Sequence, residues 1–285
     1  MLNIQAFFDP TTFSYTYLVS SDGEAAIVDP VYDFDPFAGE LAPTCADRVI
    51  TALADHNLTL KWILETHVHA DHLSAAQYIK SQVGGQICAG ANVGLVQQVF
   101  AKVFNAEDNF HDDGRQFDVL LAEDETLKLG RRELRVLSTP GHTPSCVCYV
   151  IDGNVFVGDT LFMPDYGTVR NDFPGGCAKQ LYGSIQKILS LPDDTRLYMC
   201  HDYGTEARPE FQYLTTVSEQ KAYNIHIGGN KTAAEFVRFR TDRDAQLSAP
   251  RLLYPAVQFN MRAGKLPQAE ANGSHYFKIP IKRHS

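Results

Sequence analysis

The run Thr66-His67-Val68-His69-Ala70-Asp71-His72 puts three imidazoles and a carboxylate into seven residues. His67 and His69 alternate, so an extended strand end projects both to one side. Asp71 and His72 follow at once, at the expected start of a helix. Lone pairs confined this tightly are costly unless a cation satisfies them, and a borderline or hard divalent ion does so well. The plain alternative is a solvated, His-rich turn. Three more positions narrow the choice. Thr139-Pro140-Gly141-His142-Thr143 sets His142 after a strand, Val157-Gly158-Asp159-Thr160 sets Asp159 after an apolar run, and Cys200-His201-Asp202 repeats the pattern with His201. Each alone reads more readily as structural. Together, the order His-x-His-x-Asp-His, His, Asp, His, each after a strand, points to a metal centre.

A scaffold must bring these positions together. Residues 16–30 (TYLVSSDGEAAIVDP) read as a β-hairpin about Ser-Asp-Gly that ends at Asp29-Pro30. Residues 46–57 carry helical periodicity and 60–67 (LKWILETH) form a short apolar strand. His67 therefore stands just past the carboxyl end of a strand, where α/β folds place chemistry. Residues 71–85 read as a helix closed by a Gly pair, and 86–90 as a strand. Two further hairpins span 125–140 and 146–160; 179–192 is helical, 195–202 a strand, and 211–224 and 232–247 two late helices. The tail after Pro250 is expected to be ordered only by docking, and the polar segment 105–118 to form a loop beside the site. Strands in two sets with helices interleaved make an α/β pattern of mixed sheets, not one doubly wound parallel sheet. The expectation is a single domain over 1–285 with a C-terminal extension from about residue 227.

The formal net charge is −9 over 285 residues, with no basic tract, which argues against a nucleic-acid backbone as partner. A small anionic substrate would need local positive charge working against that global field. The amino-terminal residues lack the pattern of a signal peptide and no apolar run is long enough to cross a bilayer, so no membrane association and a cytoplasmic location are expected. Six irregularly spaced cysteines do not suggest a disulfide framework. Cys146 and Cys148 share a strand face and read as small buried hydrophobes. Cys200 is expected to face away from His201, and Cys177 lies at a helix start. His56, His111, His275 and His284 fall outside the constellation and are expected at the surface.

The ordered histidines and aspartates resemble the metallo-β-lactamase superfamily from the first hairpin to about residue 226. Within it the chain is most similar to the persulfide dioxygenases, near relatives of glyoxalase II. The residues that carry this are Glu65-Thr66-His67-Val68-His69-Ala70-Asp71-His72, Arg170-Asn171-Asp172-Phe173 with Gly176-Cys177-Ala178, and His201-Asp202-Tyr203. The resemblance implies an αββα sandwich of two mixed β-sheets flanked by helices. It implies one Fe(II) per chain held by His67, His142 and Asp159, a two-His-one-carboxylate set suited to O2 chemistry. The reaction would oxidise a glutathione-type or other low-molecular-weight persulfide with O2 to sulfite and thiol. His69, Asp71, His72 and His201 would orient ligands, bind water or move protons, with Asp71, His72 and His201 the catalytic candidates. A glyoxalase II-like thioester hydrolase would use the same positions for two zinc ions: His67, His69 and His142 for the first, Asp71, His72 and His201 for the second, and Asp159 between them. All seven residues serve either scheme, and only the ETHxHADH and RxDF…GCA blocks favour the dioxygenase. A non-enzymatic metal-binding or sulfide-sensing protein would need the cluster but no open site. By resemblance Arg170 and Tyr203 contact the substrate thiol, although Arg170 could instead pair with Asp172 or Asp165. The chain departs from the glutathione-using pattern at His226, where many relatives have arginine, and a histidine is mostly neutral at pH 7; His226 is still expected close to the same pocket, as a third substrate-binding candidate. The family also suggests a homodimer.

Overall fold

The computed structural model describes residues 1–281; His284 lies outside the described residues. The chain runs β1 (Asn3–Asp9), β2 (Ser14–Ser21), β3 (Glu24–Val28), β4 (Val31–Asp35), β5 (Glu40–Ala42), α1 (Thr44–Asp55), β6 (Thr59–Leu64), β7 (Leu73–Ser74), α2 (Ala76–Val83), β8 (Gln86–Gly90), α3 (Val93–Phe104) and β9 (Val119–Leu121). It continues through β10 (Thr126–Leu129), β11 (Arg132–Ser138), β12 (Val147–Ile151), β13 (Asn154–Phe156), α4 (Ala178–Leu189), β14 (Arg196–Tyr198), β15 (Leu214–Thr216), α5 (Val217–Tyr223), α6 (Ala233–Asp244) and α7 (Leu253–Asn260). Two sheets of six strands result, in the orders β1-β2-β3-β6-β8-β9 and β10-β11-β12-β13-β14-β15, with a small third sheet β5-β4-β7. Both large sheets are mixed: β3, β6, β8 and β9 run parallel in the first, and β13 and β14 in the second.

The period-two alternation of strand side chains builds the layers. In β2 and β3, Leu18, Ala25 and Ile27 face α1, α2 and α3, whereas Tyr17, Val19, Ala26 and Val28 face the second sheet. From that second sheet Leu134, Val136, Tyr149 and Phe156 fill the space between the sheets, and Cys148, Val155 and Leu197 pack outward against α4 and α6. The result is the helix–sheet–sheet–helix sandwich. Loops at one end of both sheets carry the histidines and aspartates.

Several local expectations need correction. The helix read from residue 71 starts at Ala76, because Leu73 and Ser74 pair with Tyr32 and Val31 of β4. The segment 211–224 begins as β15, and α5 starts behind Thr216, whose capping box with Glu219 fixes the helix N-terminus. The tail after Pro250 forms α7, with Ala256, Val257 and Phe259 buried. Residues 93–104, to which no element was assigned, form α3 with Val93, Val96, Phe100 and Phe104 on its buried face. Among the described residues no helix is long and apolar enough to cross a membrane.

Candidate metal centre and substrate cavity

His67, His69, Asp71 and His72 lie on the connection between β6 and β7, His142 between β11 and β12, Asp159 just after β13, and His201 just after β14. Two glycines let these loops close up. A Cβ on Gly141 (φ +141°) would stand 2.3 Å from the Leu181 backbone, and one on Gly158 (φ +53°) 2.7 Å from Thr66 Oγ1. The sequence therefore brings α4 against the His142 loop and the Asp159 loop against the His67 loop.

The donor atoms meet. His67 Nε2 and His142 Nε2 lie 3.6 and 3.8 Å from Asp159 Oδ2, and the three donors form one compact group. His201 Nε2 lies 3.2 Å from Asp71 Oδ2 and 3.4 Å from Asp159 Oδ1, which gives a second group around the same carboxylate. The opposite ring nitrogens are tied down: His142 Nδ1 donates to Arg170 O (2.8 Å), His67 Nδ1 to Thr66 Oγ1 (3.0 Å), and His69 Nε2 to Asp29 Oδ1 (3.0 Å). His201 Nδ1 meets Ser14 Oγ at 3.3 Å. Each anchored N–H sets the tautomer and leaves a lone pair on the inward nitrogen. Those inward atoms have no protein partner: His67 Nε2, His69 Nδ1, Asp71 Oδ1, His72 Nε2, Asp159 Oδ1 and His201 Nε2 are all buried and unsatisfied. Buried polar atoms are otherwise nearly always paired, so a convergent set of orphaned acceptors fits a metal cation.

The electrostatics agree for His72, His142 and Asp159, whereas at His69 burial is outweighed by Asp29 and Glu65, which hold it well above its ordinary range. Burial, reinforced by His67, pushes His142 down to about 4, and burial with His69 pushes His72 down to about 3, so both are neutral donors at pH 7. Burial alone would raise Asp159, but His201, His67 and His142 hold it well below the usual carboxylate range.

The Arg170–Ala178 block wraps His142. Besides the Arg170 carbonyl, Phe173 packs edge-on against the imidazole at 5.2 Å, and the Cys177 amide donates to Gly141 O at 2.8 Å. The Arg170 side chain makes two 2.6 Å hydrogen bonds to Asp172 and a third to Ser248 O.

A cavity of about 470 Å³ opens from the centre to the surface. Asp71, His142 and Asp159 form its inner end, aromatic rings of Phe13, Phe162, Tyr166, Phe173 and Tyr203 its sides, and Arg170, Arg240, Arg243 and Arg251 its outer part. Tyr203 stacks on His201 (5.6 Å, 4°) and its hydroxyl reaches Asp71 Oδ2 at 3.4 Å. Segment 105–118 does not line this cavity; it packs against α3 and α7, with Gln97 Oε1 accepting from the Gly114 amide and Glu107 paired with Arg262.

The structure thus brings together His67, His69, Asp71, His72, His142, Asp159 and His201, and puts Arg170 and Tyr203 on the cavity wall. His226 lies behind that wall, 5% exposed, with Nδ1 accepting the Thr168 amide at 2.8 Å. Burial and the cations of Arg240, Arg243 and Lys231 push it down to about 3. Cys200 does not face away from the cluster: its sulfur lies within 4.8 Å of donor atoms of His69, His72 and His201. Strand alternation ends with β14 at Tyr198, so it does not govern Cys200 and His201. Sequence reading missed Asp29, which looks like a strand terminator before Pro30, and Arg240 and Arg243, which look like the polar face of a helix. It also missed Asn260, hidden in the tail. A cue for the arginines was their spacing of three, which puts both on one helix face.

The comparisons with known proteins follow this geometry. The model of the metallo-beta-lactamase superfamily matches residues 9–201. The chain is 51% identical to a probable metallo-hydrolase of Burkholderia pseudomallei over 98% of its own length and 99% of the relative's. It is 48% identical to a beta-lactamase hydrolase-like protein of Agrobacterium fabrum over 98% of its own length, but spans only 64% of that longer protein. It is 29% identical to the human mitochondrial persulfide dioxygenase ETHE1 over 92% of this chain and 88% of that one. The crystal structure of ETHE1 from Myxococcus xanthus superposes with a TM-score of 0.73 at 27% identity, covering 92% of this chain and all (100%) of the other. With its family model, its sandwich and its cluster of orphaned donors in agreement, this chain belongs to the metallo-β-lactamase superfamily.

Proposed function

We propose that this chain is a mononuclear Fe(II) persulfide dioxygenase acting on a low-molecular-weight persulfide whose thiol carrier is anionic. The balanced reaction is RSSH + O2 + H2O → RSH + sulfite + 2 H⁺. The observation that carries this reading is the fastening of His142 by the Arg170–Ala178 block, through the Arg170 carbonyl and the Phe173 ring. That block is one of the two parts of the resemblance that favour persulfide dioxygenases, and here it touches one corner of the His67–His142–Asp159 group. The likeness to ETHE1 in sequence and in structure supports the same branch.

His67, His142 and Asp159 would hold the iron. When bound, it supplies the one-electron chemistry by which O2 reacts with a soft sulfur. Burial and Asp71 hold the Tyr203 phenol well above its usual range, so it stays a proton donor, aimed at Asp71 Oδ2 on the cavity's inner end. Asp71 and His201, 3.2 Å apart, can hold a proton beside the reacting sulfur. The aromatic walls limit water at the reacting end. At the outer end, Arg243 forms no ion pair among the described residues, so it can take the carrier's anion, whereas Arg240 is buried against Asp244.

One observation favours a second reading, a dinuclear zinc thioester hydrolase. The orphaned atoms include His69 Nδ1, Asp71 Oδ1, His72 Nε2 and His201 Nε2, enough for a second ion, and the Burkholderia relative is named a probable metallo-hydrolase. Metal analysis of anaerobically purified protein, with O2 uptake and thioester hydrolysis measured side by side, decides between them. One iron and persulfide-dependent O2 uptake are expected. Two zinc ions with thioester cleavage and no O2 uptake overturn the first reading.

A further inference from the structure

The segment His69–Ser74 carries three of the donors yet has little structure of its own, since β7 covers only its last two residues. Its backbone is instead held by one side chain from the far end of the chain. Asn260 Nδ2 donates to His69 O (2.9 Å) and to His72 O (2.8 Å), and Asn260 Oδ1 accepts from the Ser74 amide (2.8 Å). Asn260 is 4% exposed and ends α7, whose buried Ala256, Val257 and Phe259 seat it in the core. The brace continues inward: the Ser74 hydroxyl donates to Glu65, and Glu65 Oε2 stands 3.5 Å from His69 Nε2.

We propose that Asn260 is a positioning residue for the metal centre, and that it couples docking of the C-terminal helix to metal binding. The proposal rests on His69, Asp71 and His72 acting at the metal centre, as ligands or as the shell that orients them, and not on which reaction the centre performs. An amide offers two donors and an acceptor on one rigid plane, which is what two carbonyls and one N–H demand. Aspartate offers acceptors alone and would set a charge against the two carbonyl oxygens. With Asn260 in place, the backbone of this segment holds His69 and His72 in one group of donor atoms with His201, and Asp71 in another with Asp159 and His201. A metal that binds only this arrangement must also stabilise the docked α7.

The test compares Asn260→Ala, Asn260→Ser and Asn260→Asp with Val257→Ala, a cavity on the buried face of the same helix. The full-length protein is titrated with Co(II) and with Zn(II) against a competing chelator, while the Co(II) absorption spectrum reports donor geometry. We expect the three Asn260 variants to bind metal about 10- to 100-fold more weakly with altered Co(II) spectra, the effect typical of losing an outer-shell partner. Val257→Ala should lower the thermal midpoint yet keep metal affinity within about twofold. In limited proteolysis, metal should protect the chain after Pro250 in the unsubstituted protein and fail to do so in Asn260→Ser, the mildest of the variants. Unchanged metal affinity in the Asn260 variants overturns the proposal, as does an equal loss in Val257→Ala. Failure of O2 uptake in a protein that passes these tests counts against the dioxygenase alone.

Discussion

The two ends of the cavity carry opposite deficits. At the inner end six buried nitrogen and oxygen atoms lack hydrogen-bond partners, and Asp71 and Asp159 supply negative charge. At the outer end the surplus is positive. Arg170 and Arg240 are matched by Asp172 and Asp244, whereas Arg243 has no such partner among the described residues. A chain of net charge −9 thus keeps a local cation where its cavity meets solvent. The difference orients a substrate: an electron-rich, metal-seeking group inward and an anionic carrier outward.

The largest expected effect breaks the inner end. His67→Ala, His142→Ala and Asp159→Ala should each abolish metal retention after dialysis, while His69→Ala and His201→Ala keep most of it. Equal loss in all five variants, measured by elemental analysis, means that the site holds two metals and that the inner end is one indivisible cluster.

At the outer end the two arginines should part company. Arg243→Gln should raise KM for an anionic persulfide about 10- to 100-fold, the worth of one charge-assisted hydrogen bond, and leave an uncharged persulfide nearly unaffected. Arg170→Ala frees Asp172 and loosens the loop whose carbonyl holds His142, so it should lower kcat for both substrates. Steady-state kinetics with the two substrates reads this directly. A selective KM effect in Arg170→Ala and none in Arg243→Gln would exchange their roles.

The smallest effect concerns His226, behind the wall between the two ends. Its folded pKa of about 3 lies below the ordinary 6.5, so between these values the unfolded chain binds a proton that the folded chain refuses. Stability should therefore fall as pH drops below about 6.5, by up to about 1.4 kcal/mol per pH unit from this group. His226→Gln should flatten that part of the curve in denaturant titrations. An unchanged slope means that His226 is protonated in the folded protein and could serve as a cation after all.

How much of this was legible in the chain itself differs by residue. The alternation in residues 16–30 and 146–160 encoded the two-sided sheets, and helical periodicity placed α1, α4 and α6. Local spacing also marked the seven residues that the fold brings together, because each of them sits in a loop after a strand or in the short run 67–72. Alternation lost its authority where regular strands stop, so Cys200 turned toward the cluster and Leu73 joined β4 instead of opening a helix. The rest is a matter of partners distant in sequence. Asp29 supports His69 across the first sheet, and Asn260 holds a loop 188 positions away at His72. Whether an arginine's charge is neutralised depends on which carboxylate the fold sets beside it, as Asp172 does for Arg170 and none of the described carboxylates does for Arg243. Residue type and spacing therefore determined the chemistry the site can hold. The tertiary structure alone decided which backbone, which tautomer and which charge stand ready to perform it, because those depend on contacts that no local pattern encodes.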